Sequence, residues 1–412
     1  MKLLSKPNKA SPSSTAYVEP QAPAPKKFGK KKMERKVAVS QANFDMNDFM
    51  SRMNTKYGEG TIFRASSAVG LVVRHLSTGA FRLDVGLGGG LPLGRMIEIF
   101  GNESAGKSTL LYSTFAQFQK QFSEGGICVL LDLERTFVAE YAANLGVDLD
   151  RLFVISPDFG EQACDQLDEV MMQKTDILVG VDSIAAMTPI STMEVSAEKA
   201  EVGVHARLIN RAVAKCNARM KRNLVVPDYP TTTVIWINQE REKVGVMFGD
   251  PSTTPGGKGK NFFTSVRIKL FSSGSAANKI MVPQTFNGVK KDILVGRVVN
   301  FTIVKNKIGG TPFEDGTYNY YIKPHKGYPA WTFDNADAIF EAGRFHGIIE
   351  TLPQKQGVLF KYGDFSTKMP HLFVKEIIDN EALADELRVK VLAAVKTVNS
   401  AVGVPDPEEI ID

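Results

Sequence analysis

The chain has 412 residues, of which 43% are hydrophobic and 23% are charged, as in an ordinary globular protein. Its length allows two or three domains and excludes a disulfide-stapled mini-protein, a collagen-like fibre and a disordered polyelectrolyte. No apolar run approaches the roughly 18 residues of a membrane span, and Leu3 and Leu4 are too short a core for a secretory signal. The cysteines, Cys128, Cys164 and Cys216, lie far apart, which predicts buried thiols and a cytoplasmic location.

The net charge of +5 is concentrated at one end of the chain. Of 50 basic and 45 acidic residues, residues 1–40 hold ten and two, which leaves 40 and 43 for the rest. Because these first residues also contain five prolines and a lysine-rich run, they are predicted to form a disordered basic extension. Such an extension is either merely solvated or an arm that binds nucleic acid phosphates without sequence preference.

Apolar strands and amphipathic helices alternate along the first two thirds of the chain. A short helix over 43–56 comes first, and the helix after Gly106 has Leu111, Phe115, Phe118 and Phe122 on one face. Continuous apolar strands between such helices indicate a parallel sheet covered on both faces. The predicted strands are 95–100, 127–131, 152–155, 177–181 and 232–238, and the further helices are 161–174 and 197–222.

The last third of the chain has a different pattern. Strands are predicted over 266–270, 298–305 and 318–322 with no helix between them, so part of the sheet is expected to be antiparallel. Helices are then predicted over 334–348 and 381–398. These helices indicate a small separate C-terminal domain. The predicted fold class is therefore α/β.

The strongest chemical signal is the segment Gly-Asn-Glu-Ser-Ala-Gly-Lys-Ser at 101–108, which matches G-x-x-x-x-G-K-[ST] between a predicted strand and a predicted helix. Its glycines allow successive backbone N–H groups to face an anion at the helix N-terminus. Lys107 is expected against the β- and γ-phosphates, and the Ser108 hydroxyl on Mg²⁺. We predict a nucleoside triphosphate site. The glycine-rich stretch 86–94 leads into a strand, so it is predicted to be a loop and not a dinucleotide fingerprint.

Acidic residues follow two of the predicted strands, at the sheet edge where open α/β sheets bind ligands. Asp182 follows the run 177–181 and suits the Mg²⁺ shell. Asp132 and Glu134 follow 127–131, and either is a candidate to orient or deprotonate the attacking water. Each of the two is alternatively a cap of the following helix.

Two further segments lack the apolar periodicity of core. Segment 194–203 leads into a helix bearing Arg207, Arg211 and Lys215, and 240–260 is an unusually long loop with cations and glycines after a core strand. Both suit a surface that follows nucleic acid phosphates, although a mobile surface loop is the alternative for the second. Gln239, at the strand end, is a candidate γ-phosphate contact. Lys305 and Lys307 either neutralise a phosphate, such as that of a neighbouring subunit, or are solvated.

Several long motifs occur in the order found in the bacterial RecA recombinases, which this chain closely resembles from about residue 43 through the C-terminal helices. They include Gly-Arg-Met-Ile-Glu-Ile-Phe-Gly-Asn-Glu-Ser-Ala-Gly-Lys-Ser-Thr from Gly94, Val-Asp-Ser-Ile-Ala-Ala-Met-Thr-Pro from Val181 and Ile-Asn-Gln from Ile237. Val-Gly-Val-Met-Phe-Gly from Val244 and Val-Lys-Asn-Lys-Ile from Val304 are similar too.

The resemblance implies a protein that forms helical filaments on single-stranded DNA, binds ATP and Mg²⁺ between protomers and exchanges strands with homologous duplex DNA in DNA repair. It implies a RecA-type P-loop core with a mostly parallel, partly antiparallel twisted sheet and a small α+β C-terminal domain. The implied division is a basic extension (1–40), a subunit-packing segment (41–75), the ATPase core with its DNA loops (76–329) and the C-terminal domain (330–412). A RecA-like accessory binder of single-stranded DNA and a hexameric helicase are the alternative functions. Cleavage of a repressor partner stays open.

The resemblance also assigns roles to individual residues. Glu134 becomes the water-activating carboxylate, Gln239 the γ-phosphate sensor, and Lys305 and Lys307 the pair that reaches the adjacent protomer's nucleotide. Tyr141 is implied to stack on adenine. The implied nucleotide contacts are Gly101, Asn102, Glu103, Ser104, Ala105, Gly106, Lys107, Ser108, Thr109, Tyr141 and Asp182, with Ser108 and Asp182 on Mg²⁺.

Segments 194–203 and 240–257 match the two DNA loops of the family. The implied DNA contacts are Val202, Arg207, Arg211, Arg241, Lys243, Val244, Gly256, Gly257 and Lys258, and Phe262 matches a residue at the subunit interface. Two positions depart from the family pattern. Val138 replaces an adenine-reading acid, which implies looser selection of ATP, and Ala214 replaces a DNA-contacting arginine.

Overall fold

The structure is a computed structural model that describes residues 44–58, 61–64, 73–194, 203–220, 230–242, 252–257, 259–272, 276–310 and 313–401. The predicted basic extension, residues 1–40, lies outside this range. The helices are α1 (Met46–Tyr57), α2 (Phe81–Gly86), α3 (Lys107–Gln121), α4 (Ala139–Asn144), α5 (Gly160–Met171), α6 (Ile190–Glu194), α7 (Val204–Arg219), α8 (Lys260–Phe263), α9 (Asn335–Phe345), α10 (Pro370–Asp379) and α11 (Glu381–Ala401).

The strands of the amino-terminal half are β1 (His75–Leu76), β2 (Leu91–Pro92), β3 (Met96–Gly101), β4 (Ile127–Asp132), β5 (Leu152–Ile155), β6 (Ile177–Asp182), β7 (Thr232–Gln239), β8 (Arg241–Glu242) and β9 (Ser252–Thr253). They are followed by β10 (Val266–Phe271), β11 (Lys279–Phe286), β12 (Val289–Asn306), β13 (Glu314–Tyr321), β14 (Thr332–Phe333), β15 (Glu350–Pro353), β16 (Val358–Tyr362) and β17 (Phe365–Thr367).

One large sheet organises the molecule, in the order β14-β13-β12-β10-β3-β7-β6-β4-β5, with β11 paired to β12. The strands from β10 through β3, β7, β6 and β4 to β5 are parallel. The side formed by β10, β12, β13 and β14 is antiparallel. A separate antiparallel sheet, β15-β16-β17, packs with the C-terminal helices. The predicted fold class, with a mostly parallel core sheet and a small α+β C-terminal domain, is confirmed.

Apolar layers cover both faces of the parallel part, because side chains of a strand alternate between the faces of its sheet. On β7, Ile235 and Ile237 pack on the α3 side, and Val234 and Trp236 pack on the α5 and α7 side. The predicted apolar face of α3 also lies in the core, with Leu111, Phe115 and Phe118 fully buried and Phe122 packed against them.

Three structural features differ from the sequence-based prediction. The strand expected over 298–305 begins at Val289, and its first half forms a hairpin with β11. The signal that would have predicted this hairpin is Asn287-Gly288, where both residues have positive φ. The helix expected over 197–222 begins only at Val204, after Gly203 with φ of 87°. The predicted C-terminal helices are present, but sheet β15-β16-β17 separates them.

The thiols of Cys128, Cys164 and Cys216 are free and buried, as predicted. None of the helices within the described residues is both long and apolar enough to cross a lipid bilayer.

Candidate active site

The loop of residues 101–106 lies between β3 and α3, at the carboxyl edge of the parallel strands. Gly101 has φ of 156°, and a Cβ built there would lie 1.8 Å from the Leu270 carbonyl oxygen of β10. Gly106, with φ of 92°, is the N-cap of α3 and is left-handed. A side chain at the first position collides with backbone, and one at the second is strained, so the loop conformation needs both glycines. The backbone N–H groups at the start of α3 are thereby available to an anion.

The side chain of Lys107 lies against this loop. Its Nζ donates to the carbonyl oxygens of Asn102, at 2.7 Å, and Gly101, at 3.3 Å. Burial lowers the pKa of Lys107, and the nearby carboxylates of Asp182 and Glu134 oppose that shift. The ammonium group is thus held where the loop would surround a phosphate.

The residues predicted to hold Mg²⁺ are in contact, since Ser108 Oγ donates to Asp182 Oδ2 at 2.7 Å. The pKa of Asp182 is raised to about 6, mainly by burial and also by the charges of Glu134 and Asp132, against the Ser108 hydrogen bond and Lys107. A hydroxyl with a carboxylate in a region of excess negative charge is a donor set that Mg²⁺ prefers. These residues therefore fit a magnesium ion.

Asp132 and Glu134 have different surroundings. Asp132 is buried, and its carboxylate accepts backbone hydrogen bonds from Thr136 at 3.2 Å and Phe137 at 3.0 Å. Glu134 is exposed, and its Oε1 accepts from the Ser183 hydroxyl and, at 3.1 Å, from Gln239 Nε2. Asp132 thus holds the following loop, whereas Glu134 faces solvent beside Asp182. The sequence-based reasoning did not assign Ser183 a role, although it directly follows Asp182.

Gln239 is joined through its neighbours to the segment predicted as the second DNA loop. The amide of Asn238 donates to the Pro255 carbonyl at 3.2 Å and to Glu98 Oε1 at 2.8 Å. Glu98 is buried and paired at 2.5 Å with Lys260, which also donates to Thr254 Oγ1 at 2.7 Å. Strand β7, with Gln239 at its end, is therefore tied by buried polar contacts to the far end of the 240–260 segment.

The ends of the two predicted DNA loops converge on α7. A Cβ at Gly257 would lie 3.6 Å from Ala206 Cβ, and one at Gly256 2.9 Å from the Ile209 side chain. Arg207 and Arg211 are exposed one turn apart on α7, and neither forms an ion pair with a carboxylate among the described residues. The backbone of Arg241 pairs with that of Thr253. Val202, Lys243, Val244 and Lys258 lie outside the described residues.

The antiparallel side of the sheet carries the two predicted lysines. Lys305 Nζ donates to the carbonyl oxygens of Thr264, at 2.6 Å, and Asn261, whereas Lys307 is exposed. The pKa of Lys305 is lowered to about 8, mainly by burial and also by the positive charges of Lys307 and Arg267. Phe262, beside them on α8, is 76% exposed.

A cavity of about 370 Å³ opens between the 104–109 segment and strands β12 and β13. Tyr141 lines it and forms a 2.6 Å hydrogen bond with the Thr109 hydroxyl. The opposite wall contains Arg297, Val299, Tyr318 and Tyr320, none of which sequence analysis had assigned to a site. Their alternation along two strands is visible in the sequence, but their position opposite the loop depends on strand pairing.

A glycine-rich loop between a central parallel strand and a helix, with a lysine, a serine and an acid from a neighbouring strand, defines the class of P-loop nucleotide-binding proteins. The family described as RecA N-terminal domain matches residues 45–323. The protein named RecA of Ruegeria pomeroyi is 33% identical over 85% of this chain and 92% of its own length. Those of Acinetobacter baumannii and Porphyromonas gingivalis are 32% and 31% identical, over 87% and 85% of this chain and 95% and 93% of their own lengths. The chain belongs to the RecA family of recombination proteins.

Proposed function

We propose that this protein is a DNA-dependent ATPase that assembles into helical filaments on single-stranded DNA and catalyses homologous pairing and strand exchange. The single observation that carries the proposal is the hydrogen bond between Glu134 and Gln239. It joins a carboxylate beside the phosphate loop to a residue at the root of the predicted DNA loop, so that nucleotide chemistry and DNA contact share one hydrogen-bonded connection.

Hydrolysis needs three contributions from these residues. The 101–106 loop, the α3 N-terminus and Lys107 bind the phosphates, while Ser108 and Asp182 hold Mg²⁺. A Mg²⁺ ion held by these two residues would supply charge neutralisation at the terminal phosphates. Glu134, exposed and held by Ser183 and Gln239, orients the attacking water and accepts its proton.

Coupling to DNA follows from the contacts of β7. A γ-phosphate that accepts a hydrogen bond from Gln239 competes with Glu134 for its amide. The resulting shift passes to residues 254–257 through Asn238 and Lys260. That segment packs on α7, from which Arg207 and Arg211 extend to DNA phosphates. Loss of the γ-phosphate would reverse the shift and weaken the hold on DNA.

The assembly part of the proposal rests on the antiparallel side. Lys305, Lys307 and the exposed Phe262 form one surface, where cations next to an apolar ring suit the nucleotide edge of an adjacent protomer. ATP held by both subunits would then be required for the filament, and hydrolysis would remove a contact between protomers.

The primary test is the ATPase rate of the full chain with and without single-stranded DNA, together with electron microscopy of the DNA-bound protein. We expect strong stimulation by DNA and helical filaments that form with ATP. Lys107→Ala should abolish hydrolysis, whereas Lys120→Ala, an exposed lysine at the other end of α3, should not. A rate unaffected by DNA at low salt contradicts the proposal.

Strand exchange needs its own assay, in which a circular single strand is incubated with a homologous linear duplex. A recombinase yields joint molecules that require ATP. An accessory DNA-binding protein of the same family would hydrolyse ATP and coat the strand without yielding joint molecules, and a helicase would instead unwind forked DNA.

A further inference from the structure

The cavity beside the phosphate loop has a wall built from directly opposed residues of β12 and β13. Arg297 pairs with Tyr320 and Val299 with Tyr318 in the register of these strands. Directly opposed residues have Cβ atoms roughly 4.5–5.5 Å apart on one face of the sheet, and residues two apart on a strand share that face. The four side chains therefore form one surface, with an apolar pair next to a polar pair.

The polar pair has hydrogen-bonding capacity that the described residues do not use. Tyr320 is 5% exposed, and its buried hydroxyl interacts with the neighbouring Tyr141 hydroxyl but has no partner of full hydrogen-bond geometry among them. Arg297 makes one long hydrogen bond, at 3.4 Å, to the Ser104 carbonyl. It forms no ion pair with a carboxylate in the described part of the chain. An unpaired buried hydroxyl is costly, which indicates that a ligand satisfies it.

The cavity is placed to take the base of a nucleotide. One of its walls is the loop that would hold the phosphates, and Tyr141, Val299 and Tyr318 supply flat or apolar surface. The described residues that line it include no carboxylate, so among them the exocyclic amino group of adenine meets no acidic acceptor. A guanidinium donates only, and its geometry matches the adjacent N7 and O6 acceptors of guanine.

We infer that Arg297 and Tyr320 recognise the acceptor edge of a 6-oxopurine, so that this protein binds guanine nucleotides at the same site as adenine nucleotides. The inference rests on the proposed nucleotide site and specifies which bases that site accepts. Arg297 donates to N7 and O6, and the Tyr320 hydroxyl donates to the second lone pair of O6.

The test is equilibrium binding of ADP, GDP, IDP and CDP, each with Mg²⁺, to the full chain. GDP should bind within about fivefold of ADP, and IDP, which keeps O6 and N7, should bind like GDP. Arg297→Ala should weaken GDP at least tenfold more than ADP. Arg297→Lys should fail to restore GDP binding, because an ammonium cannot form the two parallel hydrogen bonds. Tyr320→Phe should also lower the affinity for GDP relative to that for ADP.

Lys291→Ala, an exposed cation on the same strand but away from the cavity, is the matched control and should leave the ratio unchanged. If Arg297→Ala weakens the binding of ADP, GDP and CDP equally, and Arg297→Lys restores it, Arg297 contacts a phosphate and the inference is overturned. Binding of GDP a hundredfold weaker than ADP by the unchanged protein would overturn it as well. If Lys107→Ala does not affect the binding of any nucleotide, the nucleotide site itself is wrong, which separates the two failures.

Discussion

The two halves of the large sheet contribute differently to the same site. The parallel half, β3, β4, β6 and β7, ends in the phosphate loop and the acids around it, each within a few residues of a buried apolar strand. The antiparallel half, through β12 and β13, contributes the wall of the cavity and Lys305, by side chains in the middle or at the far end of strands. The groups proposed for catalysis are thus local features of strand ends, whereas the groups proposed for base and partner recognition depend on how strands pair.

The largest expected effect is the loss of ATP hydrolysis when a single carboxylate of the parallel half is changed. Glu134→Gln should lower kcat for ATP hydrolysis by about 10²–10⁴-fold, because it removes the proton acceptor, while the phosphate loop still binds ATP. Steady-state hydrolysis and nucleotide binding measured on the same preparation check this. The matched variant Glu169→Gln, an exposed glutamate on α5, should hydrolyse normally. A normal rate in Glu134→Gln would instead assign the water to another group.

The junction between the halves contains a buried ion pair that can be broken. Lys260 is paired with Glu98 at 2.5 Å, and Lys260→Met leaves that carboxylate with Arg267 as its remaining cation among the described residues. Removing one partner of a buried pair costs about 3–5 kcal/mol of unfolding free energy where no cation remains, so with Arg267 still present we expect a smaller loss, which urea unfolding measures. Lys375→Ala, which removes the exposed pair with Asp379, should leave the urea midpoint unchanged. An unchanged midpoint for Lys260→Met would show that the pair does not stabilise the junction.

Helix α7 packs on the parallel half and offers an internal comparison among its cations. Arg207→Ala and Arg211→Ala should each weaken binding of single-stranded DNA by up to about tenfold. Each should also lower the slope of log affinity against log salt concentration by about one. Arg219→Ala, whose guanidinium pairs with Asp168 at 2.7 Å on α5, should have little effect. Fluorescence anisotropy at several salt concentrations measures these affinities. Equal losses of DNA affinity in all three variants would show that the Arg207 and Arg211 side of α7 does not face DNA.

The smallest expected effect is a pH dependence of the antiparallel half. Because the pKa of Lys305 is lowered to about 8 by burial and by Lys307 and Arg267, it loses its charge as pH rises through that value. A phosphate of the adjacent protomer is then held less well, so ATP-dependent assembly on DNA should weaken a few-fold between pH 7 and about 9. The folded protomer binds fewer protons than the unfolded chain in this interval, so its unfolding free energy should rise.

Sedimentation of DNA-bound protein across this pH range measures the assembly. Lys305→Arg keeps the charge and should remove the pH dependence. If assembly of the unchanged protein is equally strong at both ends of the range, Lys305 does not hold a phosphate in trans.

Local patterns determined the parallel half. The apolar runs before Gly101, Asp132 and Asp182 predicted the strands and also the candidate functional residues at their ends. This was possible because a buried strand and the residue that ends it are adjacent in the chain. The loop glycines and Lys107 form a motif that is complete within eight residues. For the same reason, the helix face of Leu111, Phe115 and Phe118 could be predicted from its period alone.

Tertiary structure decided what depends on residues far apart in the chain. The different surroundings of Asp132 and Glu134 come from their hydrogen-bond partners, and the contact of Glu134 with Gln239 spans 105 positions. The pairing of Arg297 with Tyr320 depends on the register of two strands, and a shift of one residue would place the two side chains on opposite faces of the sheet. A sequence specifies residue types and short-range periods directly. It specifies register and long-range contacts only through the packing of the whole chain.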